Sequence, residues 1–142
     1  MPKSSKRTTT ASSSKSLPDI LGVQADMKTR LINEPDNYEL LMHHWTFAHP
    51  VKNSTQTIDF AHVFIKTVQE LQHWLPILKE QLATDGMIWV SWLKKASGIA
   101  SDVGESDIRK LAISLGLVDI KVCAVSELWS GLKLVIPRDR RV

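Results

Sequence analysis

No glycine occurs between Gly22 and Gly86, and no acidic residue between Glu39 and Asp59. In a doubly wound α/β domain, the turn after the first strand normally carries glycines that let backbone approach a cofactor, and a carboxylate about twenty residues on holds the ribose. Lys28–Asn33 reads as that first strand, yet it runs into Glu34-Pro35-Asp36-Asn37. Cysteine is nearly absent: Cys123 stands alone, which excludes an internal disulfide and suits a reducing, cytoplasmic setting. No stretch approaches the ~20 apolar residues that cross a bilayer. The N-terminus is basic but lacks the apolar segment of a secretory signal.

Acid is missing from residues 1–16, which hold Lys3, Lys6, Arg7 and Lys15 and almost nothing apolar. Such a segment cannot bury enough surface to offset its chain entropy, so a disordered basic Ser/Thr-rich tail is expected there. It accounts for the excess of base, because the remainder carries 14 basic and 15 acidic residues. A fold built to grip nucleic acid should keep its positive charge on the folded part, so nucleic acid is disfavoured as a partner. Residues 17–142 are long enough for one domain with a real core.

What is present is alternation. Leu17–Val23 suggests a short helical turn between Pro18 and Gly22. A helix is expected over Asp36–His44 and a short strand over Trp45–Ala48. Ile58–Ile65 is nearly continuous in apolar residues, which suits a strand covered on both faces. Val68, Leu71, Leu75, Leu78 and Leu82 then recur at helical steps, with Pro76 predicting a kink. Asp85-Gly86 turns into a strand at Met87–Leu93. Lys94–Val103 reads as a loop, and a helix around Ile108–Leu115 follows, capped by Asp102 or Gly104 and stopped at Gly116. Val118, Ile120, Val122 and Ala124 alternate with polar positions, and Leu132–Ile136 mirrors them after the link Ser126–Gly131. The order predicts an α/β fold: a mainly parallel sheet, helices on both faces, and a C-terminal antiparallel strand pair.

That arrangement resembles the class I methyltransferase-like (Rossmann-like) fold in a short form, and Leu82–Val90 resembles its turn into the fifth strand. Two segments carry a sharper resemblance, WVSWLKKASG at Trp89–Gly98 and LGLVDIKVCAVSELWSGLKLVI at Leu115–Ile136. They are similar to a small bacterial family known as domain of unknown function 3052, over about Leu17 to Arg138. Leu93 departs from a position where that family often has proline, and Asn53–Thr57 is longer and more polar. The resemblance implies a methyltransferase-like scaffold and no assigned catalytic residue.

For S-adenosylmethionine, this fold uses a glycine-rich first turn and an acid after the second strand. Asn33-Glu34-Pro35 offers neither flexibility nor, at Pro35, an amide, and His49-Pro50 stands at the second position. No cofactor is therefore expected at the customary place. The best candidate ligand site is the loop Lys94-Lys95-Ala96-Ser97-Gly98, which leaves the carboxyl end of a central strand. Lys94, Lys95 and Ser97 suit a phosphate or carboxylate; the alternative is a solvated turn with Lys95 paired to Asp102 or Glu105. Glu127 and Trp129, beside Lys133, either cap a pocket there or simply cover the sheet end. Cys123 reads as a small buried thiol, His62 as a hydrogen-bonded core histidine and Asp59 as a loop anchor. No Cys/His spacing fits a metal.

Two functions follow. The first is a non-catalytic methyltransferase-like domain binding a protein partner or small anionic ligand at the Lys94–Asp102 edge. The alternative is a divergent S-adenosylmethionine-dependent methyltransferase in which Lys94, Lys95 and Asp102 bind anion and move protons. A homodimer through a terminal edge strand stays open.

Overall fold

The computed structural model describes residues 15–141. The elements run α1 (Leu17–Leu21), β1 (Lys28–Ile32), α2 (Tyr38–Leu41), β2 (His49–Pro50), β3 (Ile58–Ile65), α3 (Val68–Gln81), β4 (Leu82–Leu93), α4 (Glu105–Ser114), β5 (Val118–Ala124) and β6 (Trp129–Val135). They form one six-stranded sheet in the order β2-β1-β3-β4-β6-β5. The first four strands pair in parallel, and β6 runs antiparallel to both β4 and β5. This is the architecture expected from the sequence.

Strands β3 and β4 are buried almost throughout, which is why their sequences lack polar alternation. One face of the sheet places Ala61, Val63, Ile88 and Val90 under α3 and α4. The other places Phe60, Phe64, Trp89 and Leu93 under α1 and α2. Helix α1 is short, ended by Gly22 at φ 81°, and is pinned by the Trp89 indole, which donates to the Leu21 carbonyl at 2.9 Å. Helix α3 opens with a reciprocal cap: Thr67 Oγ1 accepts from the Glu70 amide at 3.0 Å, and Glu70 Oε1 accepts from the Thr67 amide at 3.2 Å. Asp59 fastens β1 by accepting from the Lys28 amide at 2.9 Å, the anchoring role expected of it.

Several expectations shift. Helix α2 is only four residues, because His43 and His44 take left-handed conformations (φ 51° and 55°) and turn the chain away. The second strand is His49–Pro50, not Trp45–Ala48. Helix α3 runs continuously through Pro76, so the lost backbone donor does not divide it. Strand β4 begins at Leu82, where the Ile58–Leu82 pairing carries Asp85-Gly86 within the strand. The alternation in β5 is interrupted: a register shift between Asp119 and Lys121 puts Val118 opposite Val135 and Val122 opposite Leu132, on different faces. Val118, Ile120 and Val122 consequently remain exposed.

Inside the α2 face lies a polar chain. His62, fully buried, shares hydrogen bonds with the Tyr38 hydroxyl (2.9 Å, at Nδ1) and the Ser91 hydroxyl (2.7 Å, at Nε2). Both hydroxyls can donate or accept, so either neutral tautomer is satisfied. Burial pushes the imidazole pKa from 6.5 down to about 3. The folded protein therefore refuses a proton that the unfolded chain accepts. Stability is intact above 6.5 and is lost progressively as pH falls toward 3. Urea midpoints between about pH 6.5 and pH 4.5 should fall with a His62-linked slope approaching 1.4 kcal/mol per unit. His62→Gln should flatten that slope by about one proton; an unchanged slope would show that another group sets it.

Candidate functional site

Open α/β sheets place ligands beyond the carboxyl ends of their strands, where the strand order reverses. Here that point is β1 and β3. Strand β1 is followed by Asn33, whose φ of 58° gives the chain the left-handed bend that glycine usually supplies. Its side-chain amide donates to the Phe64 carbonyl on β3 at 3.4 Å. The Pro35 carbonyl then accepts from the Tyr38 amide at 2.9 Å and starts α2. Among the described residues, the amides of Glu34, Asp36 and Asn37 donate to nothing. The turn therefore bends without glycine and keeps free backbone donors, since proline withdraws only its own.

This turn roofs a cavity of about 550 Å³ on the α2 face. Its walls are apolar and aromatic: Leu31, Tyr38, Met42, Trp45 and Phe47. The Tyr38 and Phe47 rings lie near-parallel at 17°, with centroids 6.4 Å apart. Its rim is acidic, with Glu34, Asp36 and Glu39. Glu39 Oε1 lies 2.9 Å from His44 Nδ1. Burial raises the Tyr38 phenol pKa, with Glu34 adding to the shift, so that hydroxyl stays protonated. Trp45 contributes to this wall, while its Nε1 is itself buried with no hydrogen-bond partner, alone in this among the described side chains. An orphaned buried donor of this kind costs roughly 1–3 kcal/mol.

The residues singled out from the sequence fall elsewhere, around the exit of β4. Lys94, Lys95 and Asp102 line an open depression of about 660 Å³ together with Ser101, whereas Ser97, Glu127 and Trp129 do not line it. Several polar groups at this edge hold the structure together. Lys94 Nζ donates to the Ser126 carbonyl at 2.7 Å, and the Lys94 amide donates to the Leu128 carbonyl. Ser97 Oγ accepts from the Ile99 amide at 3.1 Å within its own turn. Asp102 Oδ1 accepts from the Val68 amide at 2.8 Å and so completes the cap of α3. Lys95 is exposed and paired with neither Asp102 nor Glu105; Glu105 instead bridges to Arg109. Trp129 is not in a loop but begins β6, 6 % exposed, with Phe64 edge-on at 4.9 Å. Glu127 is exposed. Cys123 is half-buried, and burial raises its thiol pKa against the opposing pull of Lys121, so it is not activated. Among the described residues, no cluster of His, Cys, Asp and Glu could hold a metal.

Sequence reasoning missed Trp45 and the acidic rim. The available signal was a tryptophan immediately after two histidines, a short way beyond the acidic turn Glu34–Asn37.

No family model and no curated protein matches the chain. Among solved structures it is similar to a TehB-like SAM-dependent methyltransferase from Corynebacterium glutamicum, at 11% identity over 85% of each chain with a TM-score of 0.56. It is also similar to a ribosomal protein L11 methylase from Lactobacillus delbrueckii subsp. bulgaricus, at 11% identity over 86% of this chain and 76% of that one, TM-score 0.55. A magnesium protoporphyrin IX methyltransferase from Synechocystis, solved with bound SAH, matches 63% of this chain at 16% identity with a TM-score of 0.49. The chain spans about half the length of that enzyme (52%). At such identities the likeness is one of fold: an α/β, class I methyltransferase-like, Rossmann-like domain.

If Asp102 serves α3 rather than a ligand, Asp102→Ala should lower stability by about 1–2 kcal/mol in urea. Lys95→Ala should stay within about 0.5 kcal/mol. Equal effects would return the two residues to a common site.

Proposed function

We propose that this chain is a divergent S-adenosylmethionine-dependent methyltransferase whose cofactor cavity is the one between the first turn and α2. The observation that carries the reading is an aromatic, carboxylate-rimmed cavity at the carboxyl end of β1, where the fold places its ligands. Three features of the chain fit the group. Leu31, Trp45 and Phe47 offer apolar and aromatic surface to a purine. Glu34 and Asp36 offer acceptors for vicinal ribose hydroxyls from the first turn, replacing the acid that is missing after β2. The free amides of Glu34, Asp36 and Asn37 offer donors to a carboxylate.

When bound, this cofactor supplies an electrophilic methyl group on a sulfonium centre. The acidic rim favours such a cation, and the buried Tyr38 phenol, held neutral, keeps one wall uncharged. No residue here is assigned as the base that would prepare an acceptor. The non-catalytic reading at the Lys94–Asp102 edge draws on the depression there, but Lys94 and Asp102 are already engaged in structural hydrogen bonds, which leaves Lys95 alone to meet an anion.

S-adenosylhomocysteine titrated by calorimetry should bind tighter than ~100 μM, about 5.5 kcal/mol. Trp45→Ala and Glu34→Gln should each weaken binding about tenfold. Absence of binding would overturn the methyltransferase reading and leave the non-catalytic one.

A further inference from the structure

Strand β1 has a second face, and its central side chain is a cation without a counter-ion. Arg30 is 7 % exposed, pointing with Ala61 of β3 toward α3. Its contacts are all neutral: Nη1 donates to Gln81 Oε1 at 2.7 Å and to Ser54 Oγ at 3.2 Å, and the guanidinium lies over the Trp74 ring at 5.5 Å. No carboxylate pairs with it among the described residues. Burial accordingly lowers its pKa, yet an arginine stays charged.

The arrangement around Nη1 is over-determined. Gln81 Nε2 donates to the carbonyls of Asn53 (2.6 Å) and Gln56 (2.8 Å), which leaves its Oε1 facing Arg30. With Nη1 fixed in this way, Nε and Nη2 donate to nothing among the described residues. Those two atoms form the side-on fork that matches the two oxygens of a carboxylate or phosphate. Arg30 lines a cavity of about 410 Å³ whose walls include Ile32, Val51, Trp74 and Phe47, with Lys52 and Glu34 at the rim.

We propose that this cavity binds a small organic carboxylate with an apolar body, its carboxylate received by the free fork of Arg30. Nε and Nη2 are not sealed off from solvent, so the fork is open to an incoming oxyanion, which gains a charge-assisted bidentate pair there. The apolar walls favour a hydrophobic body. Lys52 adds attraction at the entrance, while Glu34 beside it disfavours a dianion, so a carboxylate is preferred to a phosphate monoester. Arg30 lies on the opposite face of β1 from the cavity of the methyltransferase reading, with which this cavity shares Leu31, Glu34 and Phe47, but the proposal does not rest on that reading.

The test uses the full chain labelled with nitrogen-15. Benzoate, phenyl phosphate and inorganic phosphate are titrated while the Trp74 and Trp45 indole resonances are followed, with benzyl alcohol as the uncharged control. Benzoate should move the Trp74 indole with a Kd below ~5 mM, benzyl alcohol should not, and phenyl phosphate should bind more weakly. Arg30→Lys keeps the charge but loses the fork and should weaken benzoate about tenfold or more. Lys52→Ala should weaken it about two- to fivefold with an unchanged urea midpoint, which keeps the test decisive should the Arg30 variant not fold. The site is overturned if no anion moves Trp74, or if Arg30→Lys or Lys52→Ala binds benzoate as well as the parent. Inorganic phosphate binding as tightly as benzoate overturns the apolar-body assignment. S-adenosylhomocysteine is scored on Trp45, so either reading can fail without the other.

Discussion

His62 sits at the middle of β3 with no water to bond, and both of its nitrogens need partners inside the protein. Ser91 comes from the neighbouring strand, where it stands opposite Phe64, so its bond to His62 runs diagonally and ties β3 to β4 on that face. Tyr38 comes from the first residue of α2, twenty-four positions earlier. That second bond has wider consequences, because Tyr38 follows directly on the turn Asn33–Asn37. A helix of four residues has little intrinsic stability. Its position is held by the buried phenol, by Met42 beneath it, and by the Pro35 carbonyl that starts it. The polar chain inside the core thus fixes the roof of the cavity outside it. An apolar residue at position 62 would pack, but it would leave Tyr38 and Ser91 buried without partners.

The architecture was legible because its signals are local. Ile58–Ile65 is apolar on both faces and is read to the residue, and Gly116 and Gly22 end their helices as their sequence positions suggest. The errors arise where tertiary contacts override local pattern. The alternation of β5 looked like one buried face, yet a single shifted residue splits it, and the strand is an exposed edge. Asp102 and Lys94 looked like ligand groups because they are polar and near a strand end. Their partners, the Val68 amide and the Ser126 carbonyl, lie more than thirty positions away, out of reach of sequence reasoning. The missing glycines were read correctly as residues and too strongly as chemistry, since asparagine also tolerates the left-handed bend.

Strand β1 separates two environments of opposite sign. On one side Glu34, Asp36 and Glu39 ring an aromatic cavity; on the other Arg30 stands over Trp74 with Lys52 near the entrance. Five residues suffice for this because successive side chains alternate: Leu31 faces α2 while Arg30 and Ile32 face α3. Glu34 and Phe47 border both cavities. The acidic turn therefore contributes to the field on each side. It favours a cationic group in the first cavity and limits the second to modest negative charge.

Stability alone gives no reason for Arg30. Where a buried ion is exchanged for a well-packed apolar residue, the change is often neutral or stabilising. Isoleucine or leucine would suit a strand beside Ile32 and against the apolar layer of α3. The arginine instead recruits the hydroxyl of Ser54 directly and Gln81, and through Gln81 the carbonyls of Asn53 and Gln56, so that three residues of the loop entering β3 are tied in. If its work were only to tether that loop, a neutral amide could form the same Nη1 bonds without burying a charge. What a neutral residue cannot supply is the second pair of donors, coplanar and unengaged, in a cavity walled by apolar groups. The carboxylate proposed for this cavity would use both the retained charge and the open fork, which is what separates it from a role in tethering alone.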